Sequence, residues 1–412
     1  MNKKMVPEVR FKGFIDDWEQ HEMKNVLKKQ YNGQTPSRSK SSFWNGTIDW
    51  LTSGELNRSI VTRTNEKITS NGQKNANLKI IPKGTFVIAI TGLEAVGTRG
   101  NCALLGIDTT LNQSCMALFT DEKKLSPKFL FQWYRKYGNE YGIRYTQGTK
   151  QQSYNAEIIN KLPINLPTLK EQKVINLLLS KVDIAITLQQ QQLDLYTKLK
   201  KGLLQKLFPK DGEKIPRVRF ADFHEDWEQR KLKDLANVIG GGTPSTKIGE
   251  YWNGDIDWYS PVEIGKSIFV NHSQKKITKL GLSKSSAKIL PINTLLFTSR
   301  AGIGNTAILK KEGTTNQGFQ SIVPIKDKLD IYYLYSNSDK LKRYGERVGG
   351  GSTFTEVSGK QMKEMPITIP TIHEQKNIGH IFQLLDFQII LQENNLKKLK
   401  QLKKFLLQKL FI

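Results

Sequence analysis

Cysteine is nearly absent. Cys102 and Cys115 are the only two in 412 residues, and both lie in the first half. Two thiols neither staple a secreted framework nor complete a zinc site alone, so a reducing cytosol is the expected compartment. No stretch approaches the ~18 consecutive apolar residues of a membrane helix. Met1 to Pro7 carries lysines but no apolar run behind them, so no secretory signal is expected. The five histidines (21, 224, 272, 373 and 380) fall at no metal-binding spacing.

Catalytic motifs are missing too. Gly92 to Thr98 has the glycine spacing of a phosphate-binding loop, but Thr98 stands where the lysine must be. The glycine run at 240–242 has no second glycine correctly placed before Lys247. There is no dinucleotide fingerprint and no Asp-Pro-Pro-Tyr-like adenine-methylation motif. Asp211, Glu213 and Lys214 resemble a nuclease cluster only loosely, and they sit in a linker that reads as an exposed turn.

Acidic residues are scarce as well. Sixty-three Lys+Arg face 38 Asp+Glu, a formal net charge of +25. Nucleic acid neutralises such a surface by counterion release, and that reading outweighs charge kept for solubility.

What the chain has in plenty is repetition. Pro7-Glu8-Val9-Arg10-Phe11 and Asp17-Trp18-Glu19-Gln20 return as Pro216-Arg217-Val218-Arg219-Phe220 and Asp226-Trp227-Glu228-Gln229. Thr35-Pro36-Ser37 returns as Thr243-Pro244-Ser245, and Asn112-Gln113 as Asn316-Gln317. Trp44-Asn45-Gly46 and Ile48-Asp49-Trp50 return as Trp252-Asn253-Gly254 and Ile256-Asp257-Trp258. Glu171-Gln172-Lys173 returns as Glu374-Gln375-Lys376. The order never changes, so the chain is a tandem duplication. Between these anchors the copies diverge strongly.

Each copy ends in a long helix. Thr168 and Glu171, like Thr371 and Glu374, have the spacing of a capping box in which the glutamate reaches back to the cap. A seam follows at 4-3-4-3 spacing: Ile175, Leu179, Val182, Ile186, Gln189, Leu193, Tyr196, Lys200, Leu203 and Leu207. The second is Ile378, Phe382, Leu385, Ile389, Gln392, Leu396, Leu399, Lys403, Leu406 and Leu410. The same two places are polar in both. At ~1.5 Å per residue each seam runs about 48 Å. Pairing of the two helices, antiparallel, is the economical way to bury it. The seam Gln and Lys either fix register or face solvent or a partner.

The expected fold class is α+β: two tandem mixed α/β domains separated by two long helices that pair as an antiparallel coiled coil. The divisions fall at 1–165, 166–208, 209–368 and 369–412. Strands are expected over 84–90 and 293–298, and short helices over 126–141 and 329–344. Trp44, Trp50, Trp252 and Trp258 either stack on bases or pack a core, and their place in the shared framework favours packing. The Thr35-Pro36-Ser37 loop and its counterpart, with Thr243 and Ser245, either hold phosphate or are ordinary turns. Base reading is expected from polar loops that differ between the copies: Arg38, Lys40, Arg99, Gln147, Thr149 and Lys150, then Lys247, Arg300, Arg347, Ser352 and Thr353. Arginine pairs with guanine, and glutamine with adenine, through two hydrogen bonds.

Taken in order and twice over, these motifs resemble the specificity subunits of type I restriction-modification systems. The resemblance covers the full length. It implies that each globular part is a target recognition domain reading one half of a split, asymmetric DNA site, with the helices as a ruler. It further implies docking of two methyltransferase subunits that use S-adenosylmethionine and two motor-nuclease subunits that use ATP and Mg, with no cofactor in this chain. The shortened glycine run at Gly33-Gln34 departs from the family pattern. Two other readings compete: a free-standing DNA nuclease or methyltransferase with an unrecognised site, and a coiled-coil adaptor. The missing motifs weigh against the first, and the charge with two divergent globular halves against the second.

Overall fold

A computed structural model of the chain describes residues 5–146, 152–300, 302–350 and 356–412. The chain forms two compact units: Met1–Gln190 with Asn394–Ile412, and Gln191–Glu393.

The strands of the first unit are β1 (Glu19–Glu22), β2 (Leu27–Asn32), β3 (Trp44–Leu51), β4 (Ile60–Val61), β5 (Glu66–Ile68), β6 (Phe86–Ala89), β7 (Cys102–Leu105), β8 (Thr110–Leu111), β9 (Cys115–Thr120) and β10 (Pro163–Leu166). They make a five-stranded sheet, order β2-β9-β6-β7-β4, a three-stranded sheet, β5-β3-β8, and a ribbon of β1 with β10. The central strand β6 is apolar at every position and wholly buried, as a strand covered on both faces must be. It is shorter than the run expected at 84–90 because Gly84, at φ +85°, makes the turn before it. The second unit has β11 (Glu228–Lys231), β12 (Ala236–Gly240), β13 (Trp252–Tyr259), β14 (Phe269–Val270), β15 (Lys275–Ile277), β16 (Leu295–Phe297), β17 (Thr306–Leu309), β18 (Thr314–Thr315), β19 (Gln320–Pro324) and β20 (Pro366–Ile369). Their order repeats the first set strand for strand: β12-β19-β16-β17-β14, β15-β13-β18 and β11 with β20.

The helix expected at 126–141 extends over Pro127–Arg144, with proline at its first position, where no amide donor is needed. Its counterpart is two helices, Ile331–Ser336 and Ser338–Val348, which meet at Asn337. The long helices are Leu169–Lys206 and Ile372–Lys409.

The shared motifs are joints. The backbone of Glu19 pairs with Leu166, and that of Glu228 with Ile369, so the start of each repeat closes on the strand before its long helix. The expected capping box is corrected here. The Glu171 amide does face the Thr168 hydroxyl, at 3.4 Å. The Glu171 carboxylate, however, is held by the Arg10 guanidinium through two 2.8 Å bonds, and Arg219 holds Glu374 in the same way. A buried carboxylate takes a bidentate arginine over a single backbone amide. Gln172 and Gln375 then lock each helix start, donating to Pro167 and Pro370 carbonyls at 3.0 Å.

Every seam position named above is buried or half-buried. In the first unit, residues 169–190 of one long helix and the chain end 394–412, which includes the end of the other, join one core with opposite chain directions: Ile175, Leu179 and Val182 share it with Leu406 and Leu410. In the second unit Ile378, Phe382 and Leu385 share a core with Leu207. The polar seam lysines pair across the helices, Lys403 with Asp183 and Lys200 with Asp386. Each helix ends by inserting a phenylalanine. Phe411 packs edge-on against Trp18, and Phe208 against Trp227. Lys136 and Lys340 cap those ends, donating to the Phe411 carbonyl at 2.8 Å and the Pro209 carbonyl at 2.9 Å. A cation belongs at a helix C-terminus. Burial pulls both ammonium groups below the usual lysine range.

Candidate nucleic-acid interface

The Trp-Asn-Gly segments explain themselves locally. Asn45 and Asn253 sit at φ +60° and +62°, where asparagine is tolerated, and each makes a bulge at the start of its strand. The indoles then carry the Thr-Pro-Ser loop. Trp50 donates to the Gln34 carbonyl at 3.0 Å and Trp258 to the Gly242 carbonyl at 2.8 Å. Trp44 and Trp252 donate to Ser37 and Ser245 carbonyls at 3.1 Å. The rings of each pair meet edge-on with centroids 5.0 Å apart. The tryptophans therefore pack beneath the loop and are spent on holding it.

The loop is also pressed onto the Asn-Gln turn. A methyl group on Gly33 would fall 2.0 Å from the Leu111 carbonyl oxygen, and one on Gly241 would fall 1.9 Å from that of Asn316. Only glycine fits there. Gly33 is thus the counterpart of Gly241, and the shortened run in the first copy leaves the essential glycine in place. On this contact the Thr35 hydroxyl donates to Gln113 Oε1, and the Thr243 hydroxyl to Gln317 Oε1. Neither glutamine was expected at the site. The signal was there, since both belong to repeated Asn-Gln pairs.

The expected base readers are scattered over several settings. Arg38 lies 3.7 Å over the Trp44 ring and is gripped by both Glu66 oxygens, at 2.5 and 3.0 Å. That bond raises the arginine pKa and lowers the glutamate's. In the second copy Lys275 occupies the Glu66 position and lies 5.9 Å over Trp252. The tryptophan keeps its cation, supplied from strand β15 rather than from the loop. Arg99 is committed to the 92–100 loop, donating to Leu93 and Glu94 carbonyls at 2.8 and 2.9 Å. Lys40, Ser245 and Lys247 are exposed at the loop. Arg300 is half-buried, its guanidinium 3.9 Å from Glu356. Arg347 is exposed and lines a cavity of about 420 Å³ with Lys210, Lys340 and Arg343. Gln147, Thr149, Lys150, Ser352 and Thr353 lie outside the described residues. Among the described residues no group of His, Cys, Asp or Glu is placed to hold a metal ion. Cys102 and Cys115 are buried, which raises both thiol pKa values, Cys102 to about 12.

Two copies of one basic α/β unit, alike in framework and different in surface loops, define a tandem recognition protein. The family model described as type I restriction modification DNA specificity domain matches residues 15–196 and again 224–401. The chain belongs to that family and carries two copies of its domain. A stretch of 188 residues is 40% identical to the type I restriction enzyme MjaIX specificity subunit of Methanocaldococcus jannaschii, covering 45% of this chain and 43% of that relative. A longer match, 23% identical, reaches the putative type I restriction enzyme MjaX specificity subunit of the same organism, covering 94% and 91%. The crystal structure of a type I restriction-modification S subunit from M. genitalium has the same fold, with a TM-score of 0.65 over 99% of both chains at 16% identity.

Proposed function

We propose that this chain is the DNA sequence-specificity subunit of a type I restriction-modification complex, acting in the cytoplasm without a cofactor of its own. Residues 1–165 and 209–368 each read one half of a bipartite, asymmetric site. Residues 166–208 and 369–412 set the gap and dock two methyltransferase subunits. Two motor-nuclease subunits complete the complex. S-adenosylmethionine, ATP and Mg belong to those partners, which methylate adenine and cut DNA as this chain directs.

The observation that carries this reading is the duplicated fold: identical strand order and identical joints to the long helices, with divergent loops. A reader of an asymmetric site needs that combination. Docking is supported by apolar side chains left exposed on the helices at equivalent places, Ile184 with Phe387, Leu188 with Leu391 and Leu199 with Leu402. Exposed apolar side chains at matched helix positions mark a surface that a partner covers.

The test is incubation of the purified chain with plasmid, Mg²⁺, ATP and S-adenosylmethionine, with gel shifts across a salt series. Binding that weakens as salt rises, without cleavage or methylation, is expected. Cleavage or methylation by the chain alone would establish a free-standing enzyme instead.

A further inference from the structure

Most side chains that the two copies share are buried or bonded into joints, as Arg10 with Glu171 and Trp50 with Gln34 are. Three of the pairs left at the surface lie at the Thr-Pro-Ser loop face, among them Lys79 and Lys288, each three residues before a shared proline, Pro82 and Pro291. Gln113 and Gln317 are exposed, Lys79 and Lys288 are exposed, and Thr35 and Thr243 are half-buried at the surface. In the first unit Thr35 and Lys79 line one shallow cavity with Gln34 and Asn77. In the second, Gly242 beside Thr243 packs on Ser286 and Ala287, immediately before Lys288.

The hydrogen bond within each trio decides its chemistry. The threonine hydroxyl donates to the glutamine Oε1, and this bond leaves both amide N–H donors of the exposed glutamine unspent. Oε1 keeps a second lone pair, but the same glutamine stands in both copies, whereas a base reader would change between two different half-sites. The two amide N–H donors, with a lysine at the same loop face, complement an acceptor-only phosphate. Residues that read bases must differ between the halves of an asymmetric site. Residues that only seat a domain on the backbone are free to be the same.

We propose that Thr35, Gln113 and Lys79 in one unit, and Thr243, Gln317 and Lys288 in the other, form a matched pair of DNA-phosphate contacts that seat each domain on the duplex without reading sequence. The proposal rests on the DNA-specificity reading above and assigns the positioning share of that contact.

The experiment uses the full chain, a random-sequence duplex and a duplex carrying the motif that the chain directs to be methylated. Lys79→Ala with Lys288→Ala should lower the slope of log K against log salt by about two, one per lysine. Gln113→Ala with Gln317→Ala should weaken both duplexes alike, by about tenfold, with the slope unchanged. Thr35→Ser with Thr243→Ser should bind as wild type, because the hydroxyl is kept. The methylated motif should stay the same in every variant. Circular dichroism melting identifies any variant that unfolds, and the Ser pair with the Lys pair then carries the test. Wild-type affinity and slope in folded Lys and Gln variants overturn the proposal, and so does a changed motif or a loss confined to the motif duplex. A wild-type chain that binds neither duplex overturns the DNA reading itself, which separates the two failures.

Discussion

Lys403 bonds the carboxylate of Asp183, and the equivalent pair, Lys200 with Asp386, repeats the contact in the other unit. Each lysine of one long helix finds the aspartate of the other. Asp386 is further fixed by the Tyr332 hydroxyl at 2.9 Å. The two seam lysines thus act as cross-links, a recognised use of polar residues in a helical seam.

That role is measurable as a coupling. Lys200→Ala and Asp386→Ala, singly and together, should give an interaction energy of roughly 0.5–3 kcal/mol in urea unfolding. Additive losses would mean that the pair contributes nothing as a pair.

The Thr-Pro-Ser loop predicts a sharp contrast between glycines. Gly241→Ala drives a methyl group into the Asn316 carbonyl and should cost about 1–3 kcal/mol, as should Gly33→Ala. Gly249 has open space around it, and Gly249→Ala should stay within about 0.5 kcal/mol. Thermal unfolding of the three variants checks this.

Asp257 supplies a pH dependence. Burial pushes its pKa up, but the Ser273 amide and hydroxyl, with Lys276 and Lys311, outweigh that and hold it below the usual aspartate value. Ser273 N donates at 2.9 Å. A folded pKa below the unfolded one means that the contribution is present above the unfolded value, near ~3.9, and is lost as pH falls through the folded value. Asp257→Asn should therefore flatten the acid limb of the stability curve and leave its alkaline side unchanged in shape. An unaltered acid limb would contradict the assignment.

Much of this was legible in the sequence. Local signals were the reliable ones: the duplication, the seam period, and the strands around 86–89 and 295–297. Contacts between distant segments were not. Nothing near Glu171 announces that Arg10 will take its carboxylate, so the local capping pattern misled. Nothing near Arg38 announces Glu66, which turns an expected base reader into part of a stacked ion pair. The helix ends were also opaque, because periodicity marks a buried stripe without saying that Phe208 and Phe411 will finish inside aromatic clusters. The glutamines at 113 and 317 were visible as repeats, but not the threonines, 78 and 74 residues away, that each one bonds.

The central claim is that the globular parts choose bases while the helices choose distance. Methylome mapping tests it most directly, in a host carrying the methyltransferase and motor-nuclease partners, with no chain, with the wild-type chain, and with four residues inserted near Gln190. The account predicts a bipartite methylated motif that appears only with the chain, and an insertion that changes the gap while both half-site sequences stay fixed. Methylation that is independent of the chain, or an insertion that alters the bases of either half-site, would contradict it.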